Sequence, residues 1–187
     1  MTAAHGQVLA AWARARIAQE LGGPRAEPPD AAWLEHPAAT FVSLHWPDGE
    51  LQGCIGTLEP RRPLVVDVAA NALAAAFDDP RGRRFELDDL DALEVEVSIL
   101  SPLERMAVST EADALRLVRP GKDGLLLKHR GQRGTLLPSV WAQLPEPKAF
   151  LAMLRRKAGL PADYWSDDLE LWRYTTEVAT DRPRRHR

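Results

Sequence analysis

Residues 40–57, TFVSLHWPDGELQGCIGT, decide the fold. Thr40 to Trp46 is rich in β-branched and aromatic residues. Pro47-Asp48-Gly49 is a turn signature, and Glu50 to Thr57 returns, so the stretch predicts an antiparallel hairpin. Side chains alternate along a strand, which groups Leu51, Gly53 and Ile55 on one face and Gln52, Cys54 and Gly56 on the other. With Leu51 and Ile55 turned to the core, the Cys54 sulfur is expected on the opposite face, beside the Gln52 amide. Glycines on both sides give it little side-chain cover and let backbone or ligand come close. Cys54 is the chain's one cysteine. Two readings stand at this level: an accessible functional thiol, or a small buried hydrophobe on a glycine-weakened strand.

Outward from the hairpin, the pattern alternates between helix and strand signals. Residues 4 to 21 read as an amphipathic helix with Val8, Leu9, Trp12, Ile17 and Leu21 on one stripe and Arg14, Arg16, Gln19 and Glu20 pointing elsewhere. Gly22-Gly23-Pro24 ends it, and a short helix is expected at residues 31–35. After the hairpin, Pro63 opens a helix from Leu64 to Phe77 with an alanine-rich apolar face. A charged loop spans Asp78 to Arg84, and an acidic turn covers Glu86 to Asp91. Leu93 to Leu100 alternates cleanly, with Leu93, Val95, Val97 and Ile99 set against Glu94, Glu96 and Ser98. Ser109 or Thr110 caps a helix running to about Val118. Strands at 125–130 and 133–137 flank a Gly131-Gln132 turn. Helices are expected at 138–144 and 147–158, and one long final strand at 169–179. This order is not βαβα, so the expected class is α+β, a mainly antiparallel sheet with flanking helices.

Composition narrows the function classes. The 187 residues suit one domain, or one core with a smaller subdomain, and a net charge of −3 carries no nucleic-acid footprint. One cysteine allows no internal disulfide and suits a reducing compartment. No secretory signal and no apolar run of membrane-spanning length is visible, so a cytoplasmic location and no membrane association are expected. A single domain is expected over 4–180, followed by a basic flexible tail at 181–187. His5, His36, His45, His129 and His186 show no paired spacing, and neither a metal site nor a cofactor is expected. The Gly53-Cys54-Ile55-Gly56 run lacks the phosphate-loop patterns. His45, on the hairpin's first strand and near Cys54 in register, is the candidate base for a Cys54 nucleophile; the alternative is a plain surface histidine. His129 and Lys128 are later candidates for that base.

Five segments, LQGCIGT, AAFDDPR, EVEVSILSPLE, RGTLLPSVW and FLAMLRRKAGLPADYW, follow one another in an order and spacing that resemble the AMME-region protein family. The family is named for a human chromosomal region, and its prokaryotic members are called AmmeMemoRadiSam system protein A. The resemblance covers residues 5 to 180. It implies a larger subdomain of antiparallel sheet and helices plus a smaller α/β subdomain, inserted or appended. It further implies association with a Memo-like dioxygenase-fold protein and a radical S-adenosylmethionine protein. The family's motif is usually LRGCIG, and Gln52 stands here where arginine is expected. A guanidinium beside the thiol would then come from Arg61, Arg62, Arg81 or Arg133. The family-like motifs place Gln52, Gly53, Gly56, Thr57, Asp78, Arg81 and Arg133 as candidate ligand contacts around one cleft at Cys54. Two functions follow: an accessory or binding protein presenting that cleft to an unknown small ligand, or a cysteine-dependent enzyme or covalent-carrier subunit.

Overall fold

The hairpin forms as read. In a computed structural model, which describes residues 3–182, β1 (Thr40–His45) and β2 (Leu51–Gly56) pair antiparallel. β1 also pairs antiparallel with β3 (Glu94–Leu100). The last strand, β8 (Thr176–Asp181), completes a four-stranded sheet in the order β2-β1-β3-β8. Helix α1 (Ala3–Glu20) and helix α2 (Leu64–Phe77) cover one face; α2 packs on β1 and β2, and α1 packs on α2 and β3. The short helix α3 (Leu87–Leu90) is closed by a reciprocal capping box between Glu86 and Asp89, which accounts for the acidic turn expected there.

These elements make up the first of two units, residues 1–100 with 177–187. Its core is supplied by Val42 and Leu44 from β1 and by the faces the periodicities assigned elsewhere: Val95 and Val97 from β3, Val68 and Ala72 from α2, Leu9 and Ile17 from α1. Two residues of α1 depart from expectation. Val8 is exposed, while Arg14 is buried. Arg14 donates from Nε to Asp181 Oδ2 at 2.6 Å and from Nη1 and Nη2 to the carbonyls of Leu90 and Leu93. A buried guanidinium is tolerated only when it is paired and hydrogen-bonded this fully. Asp181 thereby closes the sheet as part of β8, one residue into the segment expected as a tail; residues 183–187 lie outside the described residues.

The second unit, residues 101–176, is inserted between β3 and β8. Its sheet has the order β4-β7-β5-β6, from β4 (Glu104–Arg105), β5 (Gly124–His129), β6 (Gln132–Leu136) and β7 (Glu170–Tyr174). Helix α4 (Glu111–Leu117) is capped by Thr110, whose hydroxyl accepts the Asp113 N–H. Residues Pro138–Ala142 form a 3-10 turn, and α5 (Pro147–Lys157) lays Phe150, Leu151 and Leu154 over Leu125, Leu127 and Leu171. The expected single strand at 169–179 is in fact two. Thr175 separates β7 from β8, its N–H donating to Ser101 Oγ at 2.9 Å while its carbonyl accepts the Ser101 N–H at 2.9 Å. The chain enters and leaves the insertion side by side at this point. Among the described residues, no helix is long and apolar enough to cross a membrane.

Candidate functional site

β2 is an edge strand, so N–H groups on its outer side need partners that no neighbouring strand supplies. At Cys54 that partner is Asp79, from the loop after α2, whose Oδ2 accepts the Cys54 N–H at 2.9 Å. The same carboxylate grips Arg81. Oδ1 accepts from the Arg81 backbone N–H at 3.0 Å and from Nε at 2.9 Å, and Oδ2 accepts from Nη2 at 2.6 Å. This forked hydrogen bond from Arg81 outweighs the cost of burial and holds the Asp79 carboxyl far below the usual carboxylate range. Arg81 is raised in return, mainly by Asp79, and Cys54 adds to the rise, so its partly exposed guanidinium lies within electrostatic reach of the sulfur. Arg81 supplies the cation that Gln52 does not.

The other neighbours of the thiol come from the sheet. Cys54 is directly opposite Ser43 on β1, and Ser43 is directly opposite Glu96 on β3. The buried Ser43 hydroxyl donates to Cys54 Sγ at 3.2 Å. The Glu96 carboxyl is pushed up by burial, with His45 opposing the rise and Glu94 adding to it. His45 faces Leu51 on one side and Glu94 on the other, one row along from Cys54 on the same sheet face. The row Cys54–Ser43–Glu96 thus offers a sulfur with a hydroxyl donor, a carboxyl inclined to keep its proton, and a fixed cation at its edge. Such a set places a hydrogen-bonded thiol and a carboxyl on one sheet face, with the Arg81–Asp79 ion pair at the edge.

The remaining sequence-expected residues fare differently. A β-bulge at Gln52 pairs His45 with Leu51 but Leu44 with Gly53, so strict alternation breaks there. Gln52 therefore points into the core rather than beside Cys54, and Leu51 falls on the thiol's face rather than the core's. The Gln52 amide is fully engaged: Oε1 accepts from Trp46 Nε1 at 3.0 Å and from the Arg83 N–H, and Nε2 donates to the carbonyls of Ala76 and Arg83. It holds the loop and the bulge and presents nothing to a ligand. Gly53 is a packing glycine, since a Cβ there would meet the Ala75 carbonyl oxygen of α2 at 2.0 Å. At Gly56 the Phe41 ring would be met at 2.2 Å. Thr57 donates its hydroxyl to Asp67, within a buried polar cluster that also includes Thr40, Asn71 and Arg62. Asp78 is the exposed C-cap of α2. Arg133 belongs to the second unit, on β6, whereas Asp79, Arg81, Ser43 and Glu96 belong to the first.

Asp79, Ser43, Glu96 and the Asp67 cluster were missed by the sequence reading. Asp67 and Asn71 did leave a trace: two polar residues four apart in an otherwise apolar helix. Asp79 precedes a proline and lies two residues from an arginine, which marks a side-chain-held turn. Ser43 carried no signal beyond its strand position. Among the described residues, no group of three or more His, Cys, Asp or Glu side chains is placed to hold a metal ion.

Comparison with known proteins matches the AMMECR1 family profile over residues 10–179. A protein of Methanothermobacter thermautotrophicus is 34% identical over 180 residues, covering 92% of each chain. A protein of Methanocaldococcus jannaschii is 38% identical over 141 residues, 74% of this chain and 70% of its own. The crystal structure of an uncharacterized protein from Pyrococcus horikoshii superposes with a TM-score of 0.88 at 34% identity, covering 95% of this chain and 92% of that one.

Proposed function

The chain belongs to the AMMECR1 family, and from that premise we propose that it is a ligand-binding accessory protein. It acts in the cytoplasm beside a Memo-like dioxygenase-fold protein and a radical S-adenosylmethionine protein, as the AmmeMemoRadiSam association implies. Its ligand is a small molecule carrying an anionic group, bound at the sheet edge over Cys54. One observation carries this reading: Asp79 ties the Cys54 backbone N–H to the Arg81 guanidinium, fixing a cation beside a partly exposed sulfur. The test uses two thiol reagents that differ in charge. Iodoacetate should alkylate native Cys54 faster, relative to neutral iodoacetamide, than it alkylates the unfolded chain. Arg81→Gln should abolish that preference. Equal ratios in the native protein and in Arg81→Gln would sink the reading.

The Ser43 hydroxyl donated to Sγ supports a second reading, in which Cys54 is the nucleophile or covalent carrier of an enzyme or enzyme subunit. Cys54→Ser separates the two. An accessory protein with this substitution keeps its fold and its partners' activity, whereas a carrier keeps the fold and partners but stops turnover.

A further inference from the structure

The sheet of the first unit carries its helices on one face. The residues that alternation turns to the other face fall into three rows. Phe41 has Gly56 on one side and Ser98 on the other, Ser43 has Cys54 and Glu96, and His45 has Leu51 and Glu94. The thiol site occupies the β2 end of these rows. The β3 end consists of Glu94, Glu96 and Ser98, at alternate positions of one strand and about 7 Å from one to the next.

Glu96 is a partly buried carboxylate with no cation set against it. Three other carboxylates of this unit, Asp67, Asp79 and Asp181, are each paired with an arginine at 2.7, 2.6 and 2.6 Å. The side chains of Glu94 and Glu96 make no ion pair or hydrogen bond among the described residues, and both remain partly exposed. Burial therefore pushes the Glu96 carboxyl up, and His45, one row along, opposes that rise only through space. An independent observation comes from Ser98. It is 4% exposed, and its hydroxyl has no hydrogen-bond partner among the described residues. That oxygen is not sealed off, because the fully buried side-chain N and O atoms left without a partner are His129 Nδ1 and Arg155 Nε, both in the second unit. One strand face thus presents an unpaired carboxylate and an unpaired hydroxyl, and both lack a donor.

We infer that the ligand of the thiol site carries a primary amine, whose ammonium pairs with Glu96 and donates to the Ser98 hydroxyl within the field of Glu94. The inference rests on the reading of the sheet edge at Cys54 as the place of the ligand's anionic group. An ammonium is a compact cation with three N–H donors, so it meets a carboxylate and a hydroxyl together. A quaternary ammonium would leave the hydroxyl unmet. Cys54 and Glu96 are two strand spacings apart, about 10 Å. The two charges of the ligand are separated accordingly, as in an extended ω-amino acid and not as in an α-amino acid.

The test titrates the full chain at pH 7 and constant ionic strength with n-hexylamine, and with n-hexanol as its uncharged counterpart, following backbone amides by 1H–15N NMR. Hexylamine should give saturable shifts confined to residues 41–45 and 94–98, and hexanol should give none. Glu96→Gln removes a carboxylate that nothing in the protein pairs, so the melting temperature should not fall, while hexylamine binding should weaken about tenfold. Ser98→Ala should weaken it less, and Glu35→Gln, at an exposed glutamate of the same unit, should not weaken it. No saturable shift with hexylamine, equal shifts with hexanol, or unchanged affinity in Glu96→Gln would overturn the inference. Hexylamine has no anionic group, so none of these results depends on Arg81. The anionic end is read separately with 6-aminohexanoate, which should bind more tightly than hexylamine to wild type but not to Arg81→Gln. Hexylamine binding that needs Glu96, with no gain from the added carboxylate, would strike the Arg81 reading and leave the ammonium site standing.

Discussion

Cys54 owes its surroundings to its neighbours on the edge of the sheet more than to the glycines beside it. Gly53 and Gly56 are required because α2 and the Phe41 ring come within contact of their backbone, so the substitution to test is steric. Gly53→Ala would set a methyl against the Ala75 backbone carbonyl, which cannot yield cheaply. A loss of about 3 kcal/mol or more in urea denaturation is expected, and a stability within 0.5 kcal/mol of wild type, roughly the range of surface substitutions, would refute the close approach. Asp79 gives a pH prediction. Its carboxyl is depressed in the folded state below the ordinary value of 3.8, chiefly by Arg81. The unfolded chain therefore binds the proton first, and the stabilisation is complete above pH about 4 and is lost as pH falls through the native value. Asp79→Asn should melt well below wild type at pH 7, and the two melting curves should converge toward pH 2. A gap that stays constant across this range would show that the carboxylate's charge contributes nothing. Of the two residues that set the core side in the sequence, Ile55 packs on the core, while the bulge turns Leu51 onto the sulfur's own face. Asp79 was not legible, because its role depends on a loop folding back over an edge strand, a contact 25 residues distant along the chain.

At the scale of elements, periodicity identified α2 to the residue, and it placed β3 and α4 to within one residue at either end. It failed where an element changes character within an unbroken sequence pattern. The bulge at Gln52 is one such place, because a period of two continues to be read through a position where two residues oppose one. The β7–β8 break is another: Leu169 to Ala179 reads as one strand, and only the hydrogen bonds from Ser101 divide it at Thr175. The two-residue β4 is too short to carry a pattern at all. The bulge is tested by Gln52→Ala. That change strips the acceptor from Trp46 Nε1 and the donor from the Ala76 and Arg83 carbonyls, leaving buried polar groups unpaired. A destabilisation of about 2–3 kcal/mol is expected, together with altered amide shifts at Arg83 and Gly82. Gln52→Glu, which keeps the acceptor, should be milder near pH 4 than at pH 7. If Gln52→Ala is neutral in denaturant, the amide is filling space and the bulge is held by something else.

For the whole molecule, the decisive arrangement is that two separate cores are assembled from one chain, with the second inserted in the first. Buried residues from Leu9 to Val97 form one cluster, and those from Met106 to Leu171 form the other. The insertion begins and ends on a single clasp, where Ser101 and Thr175 exchange two hydrogen bonds at 2.9 Å each. Ends this close need only a short loop to rejoin them, and loop closure costs little at such lengths. Replacing residues 102–174 by two glycines should therefore leave β3 and β8 adjacent in the first sheet, with the Arg14–Asp181 pair intact. The shortened chain should unfold cooperatively, and its Cys54 should keep the iodoacetate preference that Arg81 confers, because every residue proposed to produce it lies in the retained part. Circular dichroism, denaturant titration and the two alkylation rates check this together. A shortened chain that folds but loses the charge preference would show that the inserted unit completes the thiol site, while one that never folds would show that the first core depends on the second. Retention of both properties would establish that the thiol site is built on the first sheet alone, from residues 1–101 and 175–187.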